Sequence, residues 1–320
     1  MFNKNLIKID LSKNTKFIYY LSNISKLFIP QLLYKKRFCK MIENSIVNIA
    51  YISSRVNYYN KIEDDFSLPP SAVSLKKFKK EKKKTYFFDL IDSFKHFNSH
   101  LKTSYLFGDI TQVPDYPTLL KSRPISDKNT NSILMKLNKV RHFIFVNDKI
   151  KFEDKKDMLA WRGKCYLAHR QSFIQKFHNH PLCNVAQTNT KGDLSVPWQK
   201  KKMSINEQLS YKFILCIEGN DVASNLKWVM SSSSIAFMVQ PKYETWFMEG
   251  RLIPNYHYVL LKDDYSDLQE KIQYYSSNTK EALKIVTNAN TYVNQFKNQK
   301  REKLISLLVL KKYFEKSRQV

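Results

Sequence analysis

The pattern of apolar and polar positions is clearest between Tyr211 and Val239. Tyr211 to Ile217 (YKFILCI) is an apolar run, short and aliphatic enough to be a buried strand. Glu218-Gly219-Asn220-Asp221 breaks it with turn-forming residues. Ala223 to Met230 then reads as a helix, Ser231 to Ser234 stop it, and Ile235 to Val239 is a second strand. Strand, polar loop, helix, strand is the half-unit of a parallel sheet with crossover helices. Ligands of such sheets lie at the carboxyl ends of the strands, against helix N-termini that attract anions. The segment therefore suits a nucleotide diphosphate.

Elsewhere the periodicity is mostly helical. Phe17, Leu21, Ile24 and Phe28 recur at helical spacing, and Pro30 closes that helix. Lys35 to Ala50 also reads helical. Its basic and apolar faces suit a membrane surface or ordinary packing on a core. Tyr86 to Phe97 is a helix or strand-helix, and Ser104 to Phe107 a short strand leading to Gly108-Asp109. Asp115-Tyr116-Pro117 and Lys121-Ser122-Arg123-Pro124 are turns. Asn131 to Val140 predicts a helix and His142 to Val146 a buried strand. Trp161-Arg162-Gly163 opens a new unit, and Tyr166 to Phe177 is a helix with basic residues on one side. Ser277 to Phe296 and Lys303 to Phe314 predict terminal helices.

Composition narrows the partners. The 320 residues fit one large or two medium domains. Lys and Arg number 54 against 28 Asp and Glu, a net charge of +26. That excess fits nucleic acid, an anionic membrane surface, or a bias in codon usage. Lysine greatly outnumbers arginine, whereas base readout and phosphate forks favour arginine, so nucleic acid ranks last. The Lys76 to Lys84 run is a solvated face or a contact for lipid phosphates. Cys39, Cys165, Cys183 and Cys216 have no disulfide or Cys-x-x-Cys spacing, which predicts a reducing compartment. No secretory signal is read at the start, and no uncharged apolar stretch reaches the roughly 18 residues of a membrane span.

Five glycines are placed sparingly: Gly108, Gly163, Gly219 and Gly250 interrupt patterned segments, and Gly192 lies in a polar loop. Asp115, between two prolines, is held on a rigid turn, as a general base or as a turn cap. Arg162 and Arg170 flank a helix start, where arginines fork onto diphosphates or form surface ion pairs. Lys227 stands similarly on the next helix. Asn220, Asp221 and Asn225 suit sugar or ribose hydroxyls, although Asp221 or Ser224 also fits a helix cap. His96 with His100, and His178, His180 with Cys183, have metal-like spacing without the further ligand a zinc site needs. Walker, Gly-x-Gly-x-x-Gly and Gly-x-Ser-x-Gly patterns are absent, which removes ATPase, dehydrogenase and serine-hydrolase readings.

Taken together, YFFDL at Tyr86, FGDITQVPDYPTLLKSRPI at Phe107, LNKVRHFIFV at Leu137, WRG at Trp161, EGNDVASNLKW at Glu218 and YETWFMEG with HY from Tyr243 to Tyr258 resemble the family 90 glycosyltransferases. The resemblance runs from about Ser67 to Phe296 and is nearest the bacterial lipopolysaccharide inner-core branch. It implies an α/β, GT-B-like fold: two Rossmann-like domains facing across a cleft, an acceptor domain over 86–157 and a nucleotide-sugar domain over 158–275. A basic helical region, 1–85, and helices over 276–320 flank them.

The same resemblance implies an inverting, metal-independent hexosyl transfer from a UDP-sugar, with no cofactor. Asp115 falls on the family's catalytic Asp-Tyr-Pro and Arg170 on its donor-binding arginine. Arg162, Gly163, Lys164, Glu218, Gly219, Asn220, Asp221, Asn225 and Lys227 fall on the donor side. Asp109, Tyr116 and Arg123 fall on the acceptor side, with Asp109 as the second choice of base. Lys164 replaces a serine of the eukaryotic members and Asn225 an arginine, which shifts diphosphate contacts toward Lys164 or Lys227. The expected acceptor is a lipopolysaccharide core heptose at the cytoplasmic face of the inner membrane, where the protein would be peripheral. A capsule or other glycan acceptor is the enzymatic alternative, and a basic nucleic-acid-binding protein the non-enzymatic one.

Overall fold

The computed structural model describes residues 11–43, 48–79 and 84–320, with side chains described from residue 17 onward. Its second half is built on β1 (Lys156–Gly163), β2 (Cys183–Gln187), β3 (Tyr211–Leu215), β4 (Ile235–Met238) and β5 (Val259–Leu260). They form one sheet in the spatial order β2-β1-β3-β4-β5, with every neighbouring pair parallel. All five residues of β3 are buried, as a parallel strand covered on both faces requires. Phe213, Leu215, Phe237 and Val259 fill one core with the helices Ala168–Phe177 and Leu268–Ser277. Ile214, Cys216, Ala236 and Met238 fill the other, shared with the first half of the chain. Burying one such side chain stabilises by about 1.5–3 kcal/mol.

Ala168–Phe177, which joins β1 to β2, packs into the first core, and Leu226–Met230, which joins β3 to β4, into the second. The crossovers thus lie on opposite faces, and the strand order reverses between β1 and β3. A reversal of this kind opens a crevice at the carboxyl ends of the two strands.

The first half carries short strands. Thr118–Leu120 runs parallel to Ser132–Leu134, and Tyr105 bridges to Leu119 in the same sense. Val73–Ser74 pairs with Lys102–Thr103. Ser122–Pro124, expected as a turn, is instead a strand paired with Tyr243–Thr245 of the second half. The helix expected over Asn131–Val140 is also replaced: Ser132–Leu134 is a fully buried strand, followed by the short helix Lys139–His142. Burial on both sides outweighs local propensity there. The expected strand His142–Val146 is irregular, its half-buried apolar side chains packing on the core. Helix Ala223–Met230 shortens to Leu226–Met230; of the expected Lys35–Ala50, residues 44–47 lie outside the described residues, and what flanks them falls in Gln31–Glu43 and Ile49–Tyr59. Of the lysine run, 80–83 lies outside the described residues.

The helices expected over Ser277–Phe296 and Lys303–Phe314 are present as Thr279–Asn294 and Gln299–Lys316, and a further helix, Leu268–Ser277, precedes them. This last helix crosses back onto the first half. Glu302 pairs with Arg55 at 3.1 Å, accepts from the Trp246 indole at 2.6 Å and lies 3.5 Å from Lys136. Trp246 stacks flat on Tyr59, with ring centroids 3.7 Å apart. Removing one partner of a buried ion pair strands the other charge, at a cost of about 3–5 kcal/mol. Glu302→Ala is expected to lower stability by that amount, read as an earlier midpoint in urea unfolding with an unchanged slope.

Candidate active site

A cleft of about 330 Å³ occupies the crevice between the carboxyl ends of β1 and β3. β1 brings Trp161, Arg162 and Gly163 to it, and Lys164 follows. The loop after β3 brings Gly219, Asn220, Asp221 and Asn225. The opposite wall comes from the first half of the chain: Asp109, Lys121, Arg141 and His142. At Gly163 any Cβ would collide with the indole of Trp161. Gly108, at φ 127°, turns the chain toward Asp109 with backbone that side chains rarely adopt.

Lys121 joins the two walls. Its ammonium lies 2.5 Å from Asp109 and 2.6 Å from Asp221 and is almost wholly buried. Asn220 adds a longer bond, donating to Asp109 at 3.3 Å. Burial opposes ionisation of both Lys121 and Asp109, yet their mutual contact, with Asp221 and Asn220, raises the lysine pKa and lowers that of Asp109. Both remain charged.

The arginines behave differently. Arg170 donates to the carbonyls of Glu218 (2.8 Å), Lys164 (2.9 Å) and Ile217 (3.0 Å) and lies over the Trp161 ring. It stitches the loop after β1 to the end of β3, and among the described residues three bonds leave two of its five N–H groups without a partner. Arg162 turns back onto Asn184, donating to its carbonyl and side-chain oxygen at 2.7 Å each. Lys164 donates to Thr190 at 2.7 Å. Among the described residues none of Arg141, Arg162, Lys164 and Arg170 has a carboxylate partner. Burial lowers the pKa of Arg162 and Arg170, but a guanidinium remains charged. Such a wall calls for an anion with several charges.

Several expected site residues stand elsewhere. Lys227, expected at the diphosphate, is fully buried and paired with Glu249 at 2.5 Å. Arg123, expected on the acceptor side, is equally buried, bound to Glu244 at 2.7 Å and to the Tyr58 and Ser132 carbonyls. In both cases the partner is distant in sequence and removes the charge from the site. Asn225 lines the cleft, but its amide is committed to the Leu215 carbonyl at 2.9 Å. Asp115 and Tyr116 are exposed and outside the cleft lining, on the segment that carries Asp109 into it. The Asp115 backbone is held by Asn131 at 2.8 Å, and its carboxylate forms no ion pair among the described residues. The metal-spaced histidines pack as core or surface rings: His96 against Tyr34, His178 against Trp198.

Arg141 and His142 were not singled out by their sequence. Asn138, in the left-handed region at φ 54°, starts the turn that aims them at the cleft. His142 is 3% exposed, and neither ring nitrogen has a hydrogen-bond partner among the described residues. Burial, then Lys227, Lys121 and Arg141, hold it well below the ordinary imidazole range. It is neutral at pH 7, with one donor and one acceptor to offer.

Sheet order and cleft lining together define an α/β protein with a cationic crevice at a strand switch point. The model of the family "Glycosyl transferase family 90" matches residues 112–315. An "O-glucosyltransferase LpsA" from Dichelobacter nodosus is 42% identical over 265 residues, 83% of each chain. A "Protein O-glucosyltransferase 2" from Danio rerio is 29% identical over 130 residues, 39% of this chain and 26% of that one. The chain belongs to glycosyl transferase family 90 and is a glycosyltransferase.

Glu218, expected on the donor side, follows β3 but stands outside the cleft lining, its carboxylate accepting from the Lys242 backbone at 3.1 Å. Burial pushes its carboxyl up to about 7, against hydrogen bonds from the Lys242 and Tyr243 backbone. The folded state then holds a proton that the unfolded state has lost. Stability from this group is present below the unfolded value of 4.5 and is lost as pH rises through about 7. Melting temperatures from pH 4.5 to 8 are expected to show this loss in the wild type and a flatter profile in Glu218→Gln.

Proposed function

We propose that the protein transfers a hexose, with inversion, from a UDP-sugar to a sugar of the lipopolysaccharide core. The observation that carries the donor reading is the crevice with four cations that lack carboxylate partners among the described residues, at the switch point of a doubly wound sheet. A diphosphate answers that charge, and the free N–H groups of Arg170 suit its oxygens. The name of the Dichelobacter nodosus relative favours glucose as the hexose. A GT-B-like arrangement of two lobes fits the parallel sheet of 156–260 and the short parallel segments around Leu119 across the cleft.

Asp115 is the base in this reading. Its carboxylate is exposed and free of ion pairs, whereas Lys121 already answers the charge of Asp109. The acceptor hydroxyl gives its proton to Asp115, the oxygen bonds to C1, and the C1–O bond to UDP breaks with its electron pair going to the diphosphate. Arg170, Arg162, Lys164 and Arg141 stabilise the charge that develops there, so no divalent metal is needed. His142 meets a hydroxyl of the bound sugar. Tyr116, exposed beside Asp115, receives the acceptor. The acceptor is polyanionic and membrane-held, which suits the charge of +26. The protein then works at the cytoplasmic face of the inner membrane.

The test is a donor screen: purified protein with UDP-sugars and a truncated core acceptor, read by product mass and anomeric configuration. One UDP-hexose should be consumed and its anomeric centre inverted; no turnover of any UDP-sugar would defeat the reading. Asp115→Asn is expected to cut kcat by about 10²–10⁴-fold with little change in donor KM. Near wild-type turnover in Asp115→Asn, with loss in Asp109→Asn, would move the base to Asp109.

A further inference from the structure

We propose that the hairpin of helices Leu11–Leu27 and Gln31–Glu43 docks the protein on an anionic lipid surface. This gives the membrane reading above a location. It rests on that reading for its purpose and not for its evidence.

The inner face of the hairpin is already committed. Tyr19 donates to Asp89 at 2.7 Å and to the Thr85 carbonyl at 3.1 Å. Tyr20 packs edge-on against Phe88, with centroids 5.9 Å apart. Tyr34 and Phe38 are buried against His96 and Phe97. The Lys95 ammonium donates to the carbonyls of Lys26, Leu27 and Ile29 at 2.8, 2.6 and 3.2 Å, fixing the corner between the helices. The hairpin is therefore held on the helix Lys84–Phe94 and the segment after it, and its orientation is set.

The outer face is apolar and uncovered. Phe17, Ile18, Leu21, Phe28, Leu32 and Leu33 are all exposed, Phe28 at 83% and Phe17 at 69%. Phe17, Leu21 and Ile24 share one stripe of the first helix, and Phe28 follows in the turn, a periodicity that ordinarily marks a core-facing side. Here the core is served by the other side. Contiguous exposed apolar side chains on a folded domain mark an interaction surface. Lys36, Arg37 and Lys40 are exposed on the second helix, where Glu43 is the sole acidic residue. Apolar side chains flanked by basic ones fit a helix lying in the interfacial plane of an anionic bilayer. A second copy of this chain fits less well, because each carries +26 and the two repel.

The experiment is sedimentation of the purified full chain with vesicles, phosphatidylglycerol in phosphatidylethanolamine against phosphatidylcholine alone. Binding is expected to be at least roughly tenfold stronger on the anionic vesicles. The triple variant Leu21→Glu/Phe28→Glu/Leu32→Glu should reduce it roughly tenfold or more. The variant's melting temperature, and its activity on a water-soluble truncated acceptor, should match the wild type. Three results would overturn the proposal: no wild-type binding to anionic vesicles, equal binding by the variant, or a wild-type dimer that the variant dissolves. Binding is read without any sugar, so a failed donor screen leaves this surface standing, and a failed sedimentation leaves the transferase reading standing.

Discussion

Lys121 carries its charge to a place that water barely reaches, and there it touches a carboxylate from each side of the cleft. Desolvating an ammonium and two carboxylates is costly unless the geometry is close, and here both contacts are. The bridge fixes the distance between the segment that bears Asp109 and the loop that bears Asp221. It also settles which charges the cleft presents. One lysine answers two acids, while Arg141, Arg162, Lys164 and Arg170 are left to face whatever enters. The crevice that the strand reversal opens thus becomes a strongly positive one, with Trp161 and a neutral His142 among its uncharged lining.

Much of this was legible in the chain. β3 and β4 were visible because a strand covered on both faces needs no alternation, and Tyr211–Ile217 is a continuous apolar run. Of the loop that breaks it, Gly219, Asn220 and Asp221 line the cleft, while the Glu218 carboxylate turns away to the Lys242 backbone. The errors share a physical cause. Lys227 and Arg123 sit in segments that read as polar and functional, yet each is buried by an acid far away, Glu249 and Glu244. Long-range ion pairs leave no local periodicity. Ser132–Leu134 became a strand for a related reason: its partner, Thr118–Leu120, is set by tertiary packing.

Arg141 and His142 mark the opposite limit. The block LNKVRHFIFV carried the family resemblance, but its pattern, read as a helix and a strand, gave no sign that Arg141 and His142 reach the cleft. Only the left-handed backbone of Asn138 and the packing beneath it put these two side chains on the cleft. The exposed stripe of Phe17, Leu21 and Ile24 makes the same point about surfaces. Helical spacing of apolar residues marks a face, and the fold decides whether protein or something outside it provides the cover.

The return of the last helix to the first half has a consequence for how the chain is made. Arg55 and Glu302 are separated by 247 residues. At roughly 5–20 residues per second, a ribosome needs on the order of ten seconds or more to travel between them. Throughout that interval Tyr59 and its neighbours lack the helix that covers them. The amino-terminal half therefore reaches its finished state only once Glu302 has been made and its helix has folded back.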